Sequence, residues 1–262
     1  MVGSNLAAEV AEIFDEAQVP HLLWGHLALA LIGDDCHPSE LEFVIPDEQI
    51  KAASDTLYEA GFCICGKSDC PELRTNQFYP IADVHFHLEG MTEEHHTLSL
   101  FSKSSMVWWL PDFSLGPLPK DDPHFILSTD PRLPPRKEGG GSGPWTHLYP
   151  IRILNSNIMT EALILLGARD RNQINGLEEQ WCRMLIALME DREVPNTGVK
   201  KVLSPRFMPF WEALHQSSPP VGPWDMLWQL GQEMRANNEL PPGPAYNAYG
   251  TIEWARFNEV DI

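Results

Sequence analysis

Hydrophobic positions along the first hundred residues alternate between two periods, and each switch marks a change of element. Leu6, Val10, Ile13 and Phe14 fall on one side of a helix predicted over 5–18. His21–Trp24 is a short apolar run that reads as a buried strand, and Gly25 ends it with a close turn. Leu27 to Ile32 predicts a short buried helix, stopped by Gly33-Asp34-Asp35. Glu40, Glu42 and Val44 then alternate with Leu41, Phe43 and Ile45, a strand with an acidic and an apolar face. Pro46-Asp47 supplies the turn and cap of a helix over 48–60, which Gly61 terminates. A short strand is expected at 62–65 and a loop over 66–79. The clearest period of two spans 81–88, with Ala82, Val84, Phe86 and Leu88 on one face and Asp83, His85 and His87 on the other. Strands are also expected at 96–101 and 124–127, and at Val107–Pro111, where Trp108 and Trp109 would face opposite ways.

From Thr129 to Pro150 the pattern breaks into prolines and glycines, a linker or loop with Arg132, Arg136 and Lys137 just ahead of the glycines. These bases suit either a solvated linker, the commoner case, or a basic lid over an acidic cleft. Helical periodicity follows over 156–168, 177–193, 205–215 and 224–237. Arg169-Asp170-Arg171 closes the first of these helices, facing a cleft or forming a surface ion pair of little energetic value. Tyr246, Tyr249, Trp254 and Phe257 suggest that the last segment straps back on the body. The expected fold is α+β, a mixed sheet with flanking helices followed by a helical C-terminal half. The expected organisation is an α/β domain over 1–128, a Pro/Gly-rich connection over 129–150 and a helical region over 151–262.

Charge narrows the functions. There are 37 acidic against 18 basic residues, a formal net charge of −19. Such a surface repels nucleic-acid backbones and anionic membranes, so neither partner is expected, and a phosphate-bearing substrate needs a metal or a local cluster of bases. No run approaches the length of a membrane span and the first residues do not read as a signal peptide, which makes the cytoplasm the expected compartment.

One spacing carries a candidate chemistry. Two carboxylates at i and i+2 of a strand, Glu40 and Glu42, point the same way and can hold a divalent ion between them. Gly25-His26 opens the short helix ahead of them, and Pro80-Ile81-Ala82-Asp83-Val84-His85-Phe86-His87 brings a further acid and two imidazoles. Gly at the start of a short helix, about a dozen residues, and then acid-apolar-acid on a strand resembles the nucleotidyltransferase superfamily, in its small antibiotic-modifying or abortive-infection form. The Pro80–His87 stretch and Trp108-Trp109-Leu110-Pro111 are similar to fungal proteins of that type. The likeness covers about the first 110 residues. Gly25-His26 stands where the family has Gly-Gly or Gly-Ser, and Glu40-Leu41-Glu42 where it has Asp-apolar-Asp. The resemblance implies a mixed sheet with a helical half behind it and a cleft between the halves. It also implies Mg2+ held by Glu40, Glu42 and Asp83, with Gly25 and Lys103 beside the nucleotide phosphates. The activity implied is transfer of a nucleoside monophosphate to a small molecule.

Two other readings use the same residues. In one, a cleft with His26, Glu42, Asp83, His85 and the pair Trp108 and Trp109 performs metal-independent acid–base chemistry, a cyclisation or isomerisation of an organic substrate in a biosynthetic pathway. In the other, the chain is a non-catalytic binding relative. The five cysteines, at 36, 63, 65, 70 and 182, do not form a disulfide framework. Cys63, Cys65 and Cys70 are dense enough for a metal site completed by His85 and His87, but their ordinary reading is reduced thiols near a loop, so zinc is not expected.

Overall fold

The computed structural model describes residues 2–33, 40–66, 70, 80–88, 97–113, 115–136, 142–171, 177–190 and 203–242. They belong to two compact units, Met1–Glu72 with Ala82–Asn155 and Leu73–Ile81 with Ser156–Ile262. The segment 239–262, expected as a strap, lies almost wholly outside the described residues, as does Lys137.

The first unit is built on a five-stranded mixed sheet. Its strands are β1 (Leu22–Trp24), β2 (Glu40–Ile45), β3 (Cys63–Ile64), β4 (Val84–His87) and β5 (Thr97–Ser102), in the spatial order β1-β2-β5-β4-β3. Only β2 and β5 pair in parallel; the other three pairs are antiparallel. Helices α1 (Val2–Glu16), α2 (Gly25–Leu31), α3 (Ile50–Glu59) and α4 (Lys103–Met106) accompany it, with a 3-10 turn at Asp47–Gln49.

The register sorts the two faces. Residues opposite each other in a ladder point to the same side. One side therefore carries Leu23, Leu41, Phe43, Phe86, Leu98 and Leu100, all buried. Phe14 of α1 meets Phe43 edge-on at 5.5 Å, and Phe62, just after α3, meets Phe86 at 6.3 Å. The apolar face is thus the core beneath α1 and α3, as the alternation in β2 and β4 requires.

A smaller hairpin, β6 (Phe125–Leu127) with β7 (Arg152–Leu154), completes this unit. The stretch 129–150 connects these two paired strands, and its described part folds back on them: Trp145 N–H donates to Ser128 O (2.8 Å) and Ser128 N–H to Ile151 O (2.7 Å). Arg132 is held by Asp130 and by the carbonyl of Lys120 (2.7 Å). Trp108 and Trp109 sit in a turn rather than on a strand and pack edge-to-face on each other at 4.6 Å.

The second unit is helical, with α5 (Ser156–Asp170), α6 (Leu177–Glu190), α7 (Met208–Leu214) and α8 (Pro223–Ala236). Nearly every residue of α5 from Met159 onward is buried, so α5 is the central helix, with α6 and α8 against it. Gly231 lets α8 approach closely, since a side chain there would strike Ala168 O. Arg169 and Asp170 were expected on the surface or at a cleft. Instead both are buried, joined by two 2.8 Å bonds, with Trp181 Nε1 donating to Asp170 at 2.7 Å. Among the described residues, no helix is long and apolar enough to cross a membrane.

Candidate functional site

The second face of the sheet carries an apolar row, Leu22, Val44 and Phe101, and beside it two rows rich in polar residues, most of them nonetheless buried. Trp24 on β1 lies opposite Glu42 on β2, Glu42 opposite Ser99 on β5, and Ser99 opposite His85 on β4. The next row runs Glu40, Thr97, His87 and Cys63. Glu42 is 3% exposed, Thr97 2%, Ser99 4% and His85 5%. A buried polar sheet face costs free energy unless its groups are satisfied, which marks this face as more than packing.

Two centres stand on it. The first is a corner formed by β1, α2 and β2. Gly25 adopts φ +70° as the first residue of α2, and the Glu42 carboxylate fills the place where a β-carbon would be. Only glycine serves both conditions. Trp24 is fully buried, and its indole N–H has no hydrogen-bond partner among the described residues. Glu40 is half-buried on the same face, and His26 is half-buried in the first turn of α2.

The second centre is at the opposite edge. His85 and His87, two apart on β4, share the polar face with ring centroids 5.7 Å apart. Cys65 N–H donates to His85 O at 3.0 Å, extending the β3–β4 ladder by one residue and setting Cys65 opposite His85. Cys70 is buried, with Sγ 3.5 Å from His87 Nε2. One ligand atom from each of Cys65, Cys70, His85 and His87 lies within 4.8 Å of all the others. Burial, and then the neighbouring His87, push the His85 imidazole below its ordinary value, which keeps a neutral ring with a lone pair at neutral pH. His85 Nε2 is buried with no hydrogen-bond partner among the described residues.

The remaining expected site residues lie elsewhere. β5 stands between β2 and β4, so Asp83 and His85 share a face with Glu40 and Glu42 without adjoining them. Asp83 precedes β4 and is exposed, its carboxylate accepting Ser102 N–H at 2.7 Å at the start of α4. Lys103 pairs with Asp112 at 2.9 Å. Ser102 lies opposite Ile45, which puts Lys103 four register positions, roughly 13 Å along the strand, from Glu42. Of the three cysteines whose spacing suggested a metal site, Cys65 and Cys70 join His85 and His87, while Cys63 is exposed and outside the group.

No protein-family model matches the chain, and neither a curated protein nor a solved structure is found to match it.

Proposed function

We propose that this chain is a nucleotidyltransferase-like protein that binds a nucleoside triphosphate with Mg2+ at the Trp24–Gly25–Glu42 corner and transfers its nucleoside monophosphate to a small molecule. The observation that carries this reading is the corner itself. A buried carboxylate lies against a residue with no side chain, and across the ladder from it stands Trp24, whose indole N–H lacks a partner among the described residues. A buried donor left unpaired costs about 1–3 kcal/mol, and an oxygen-rich ligand relieves that cost.

The donor set suits the ion. Glu40 and Glu42 offer hard oxygens from one face of one strand, and Mg2+ is held by one or two carboxylates together with substrate phosphates. When bound, the ion supplies charge stabilisation to the phosphoryl group in transfer. Glu42 is fixed by its packing on Gly25, while the more exposed Glu40 adjusts to the ligand. The acceptor hydroxyl attacks the α-phosphorus, the bond to pyrophosphate breaks, and the hydroxyl proton passes to His26. Asp83, bound to Ser102 N–H, is assigned to the start of α4 in this reading and not to the metal.

A thermal-shift panel tests the proposal. ATP, GTP, CTP and UTP are each added with Mg2+ and with chelator. A ligand at a hundredfold excess over its dissociation constant stabilises the native state by about 2.7 kcal/mol. One nucleotide raising the melting temperature only with Mg2+ supports the reading, and four flat responses overturn it.

A further inference from the structure

We infer that Cys65, Cys70, His85 and His87 form a structural Zn2+ site that ties the edge strand β3 and Cys70 to β4. The inference is independent of nucleotide binding, because the two centres lie at opposite edges of the sheet and offer opposite donors.

The donors come together through local structure. His85 and His87 are an i, i+2 pair on one face of β4. Cys65 extends β3 opposite His85, and Cys70 Sγ lies 3.5 Å from His87 Nε2. In a tetrahedral site, Zn–S of about 2.3 Å and Zn–N of about 2.0 Å give ligand–ligand edges of roughly 3.3–3.8 Å. The Cys70–His87 separation already equals such an edge. The widest separation in the set, 4.8 Å at most, closes with a movement of about 1 Å. His85 provides a second, independent observation. The residue is buried, one of its ring nitrogens belongs to the cluster, and Nε2 has no hydrogen-bond partner among the described residues. A metal bond satisfies that nitrogen.

The chemistry of the set selects the ion. Two thiolates and two imidazoles are soft or borderline donors, suited to tetrahedral Zn2+ and unsuited to Mg2+. Binding releases two thiol protons, so the bound unit is neutral overall, which suits a partly buried place. Four protein ligands leave no open position for water, which makes the site structural and not hydrolytic. Its structural purpose is evident in β3, which has only two residues and stands at the sheet edge, where a strand so short is weakly held. This assignment takes His85 out of acid–base chemistry and departs from the reading of the cysteines as plain thiols.

The test uses the full chain, purified under reducing conditions without chelator. Elemental analysis is expected to find about one zinc per chain. Replacement by Co2+ is expected to give the strong visible bands of a tetrahedral ion and a thiolate-to-cobalt charge-transfer band. C65S and C70S should each lose the charge-transfer intensity and the stoichiometry. Cys63 is exposed, and burial pushes the Cys182 thiol up to about 12, so C63S and C182S should keep both. If C65S or C70S fails to fold, the wild-type cobalt spectrum decides alone. Absence of tight zinc and of tetrahedral cobalt bands in folded wild-type protein overturns the inference, as does full zinc content in a C65S/C70S double variant.

Discussion

Gly25 carries two constraints at one α-carbon: a left-handed φ and the Glu42 carboxylate in the space of a side chain. Gly25→Ala should therefore destabilise the protein by about 2–4 kcal/mol, the sum of the left-handed penalty and local overpacking. Urea denaturation measures it; a loss below 1 kcal/mol would mean that Glu42 is free to move away. His21 makes a second prediction at this scale. Its ring packs between Phe14 and Phe43, and Nδ1 bonds to Val19 O at 3.0 Å. Burial lowers its pKa from the ordinary value, outweighing the Val19 bond and Asp15, which act the other way. A base with a lowered folded-state pKa binds protons more readily when unfolded. Stability should thus be full above about pH 6.5 and fall as the pH drops below it. H21Q will be less stable outright, but its melting temperature should vary less between pH 7.5 and 5.5, and an unchanged pH slope would exclude His21 as the cause.

At the scale of elements, the start of α4 is held by two carboxylates from different places. Asp83 accepts Ser102 N–H, and Asp47 accepts both Ser104 N–H (3.0 Å) and the Ser104 hydroxyl. D83N, whose amide oxygen can still accept Ser102 N–H, should cost less than about 1 kcal/mol and leave nucleotide affinity nearly intact. A large loss of affinity in D83N would return Asp83 to the metal site. The buried pair in α5 is more demanding. D170N removes the carboxylate charge bonded to the buried Arg169 and should cost about 3–5 kcal/mol by denaturant melting. Period-two alternation made β2 and β4 legible in the sequence, together with the acidic face of one and the histidine face of the other. It did not reveal that β5 lies between them, because strand order is a non-local choice. Nor did it show that Asp83 turns to Ser102. Trp108 and Trp109 misled for a related reason: an apolar run in a tight turn looks like a strand until its packing is known. The charge of Arg169 and Asp170 pointed to the surface, while their mutual pairing allowed burial.

Across the whole molecule, a net charge of −19 opposes compaction. Raising the ionic strength from about 0.01 M to 0.15 M shortens the screening length from about 30 Å to about 8 Å and should raise the melting temperature. The same acidity makes a bare triphosphate a poor ligand without its cation, so the account ties nucleotide affinity to Mg2+ and to the carboxylates of β2. The proposed zinc ligands stand at the other edge of the same sheet, so the two proposed centres separate hard from soft donors by its width. The most direct measurement is calorimetric titration of the Mg2+–nucleotide selected by the thermal panel into wild type and into E42Q, a variant that keeps the side-chain shape against Gly25. The account predicts that E42Q, with a melting curve close to wild type, loses affinity by roughly tenfold or more. Equal affinity in the two proteins would contradict it and place the ligand away from Glu42.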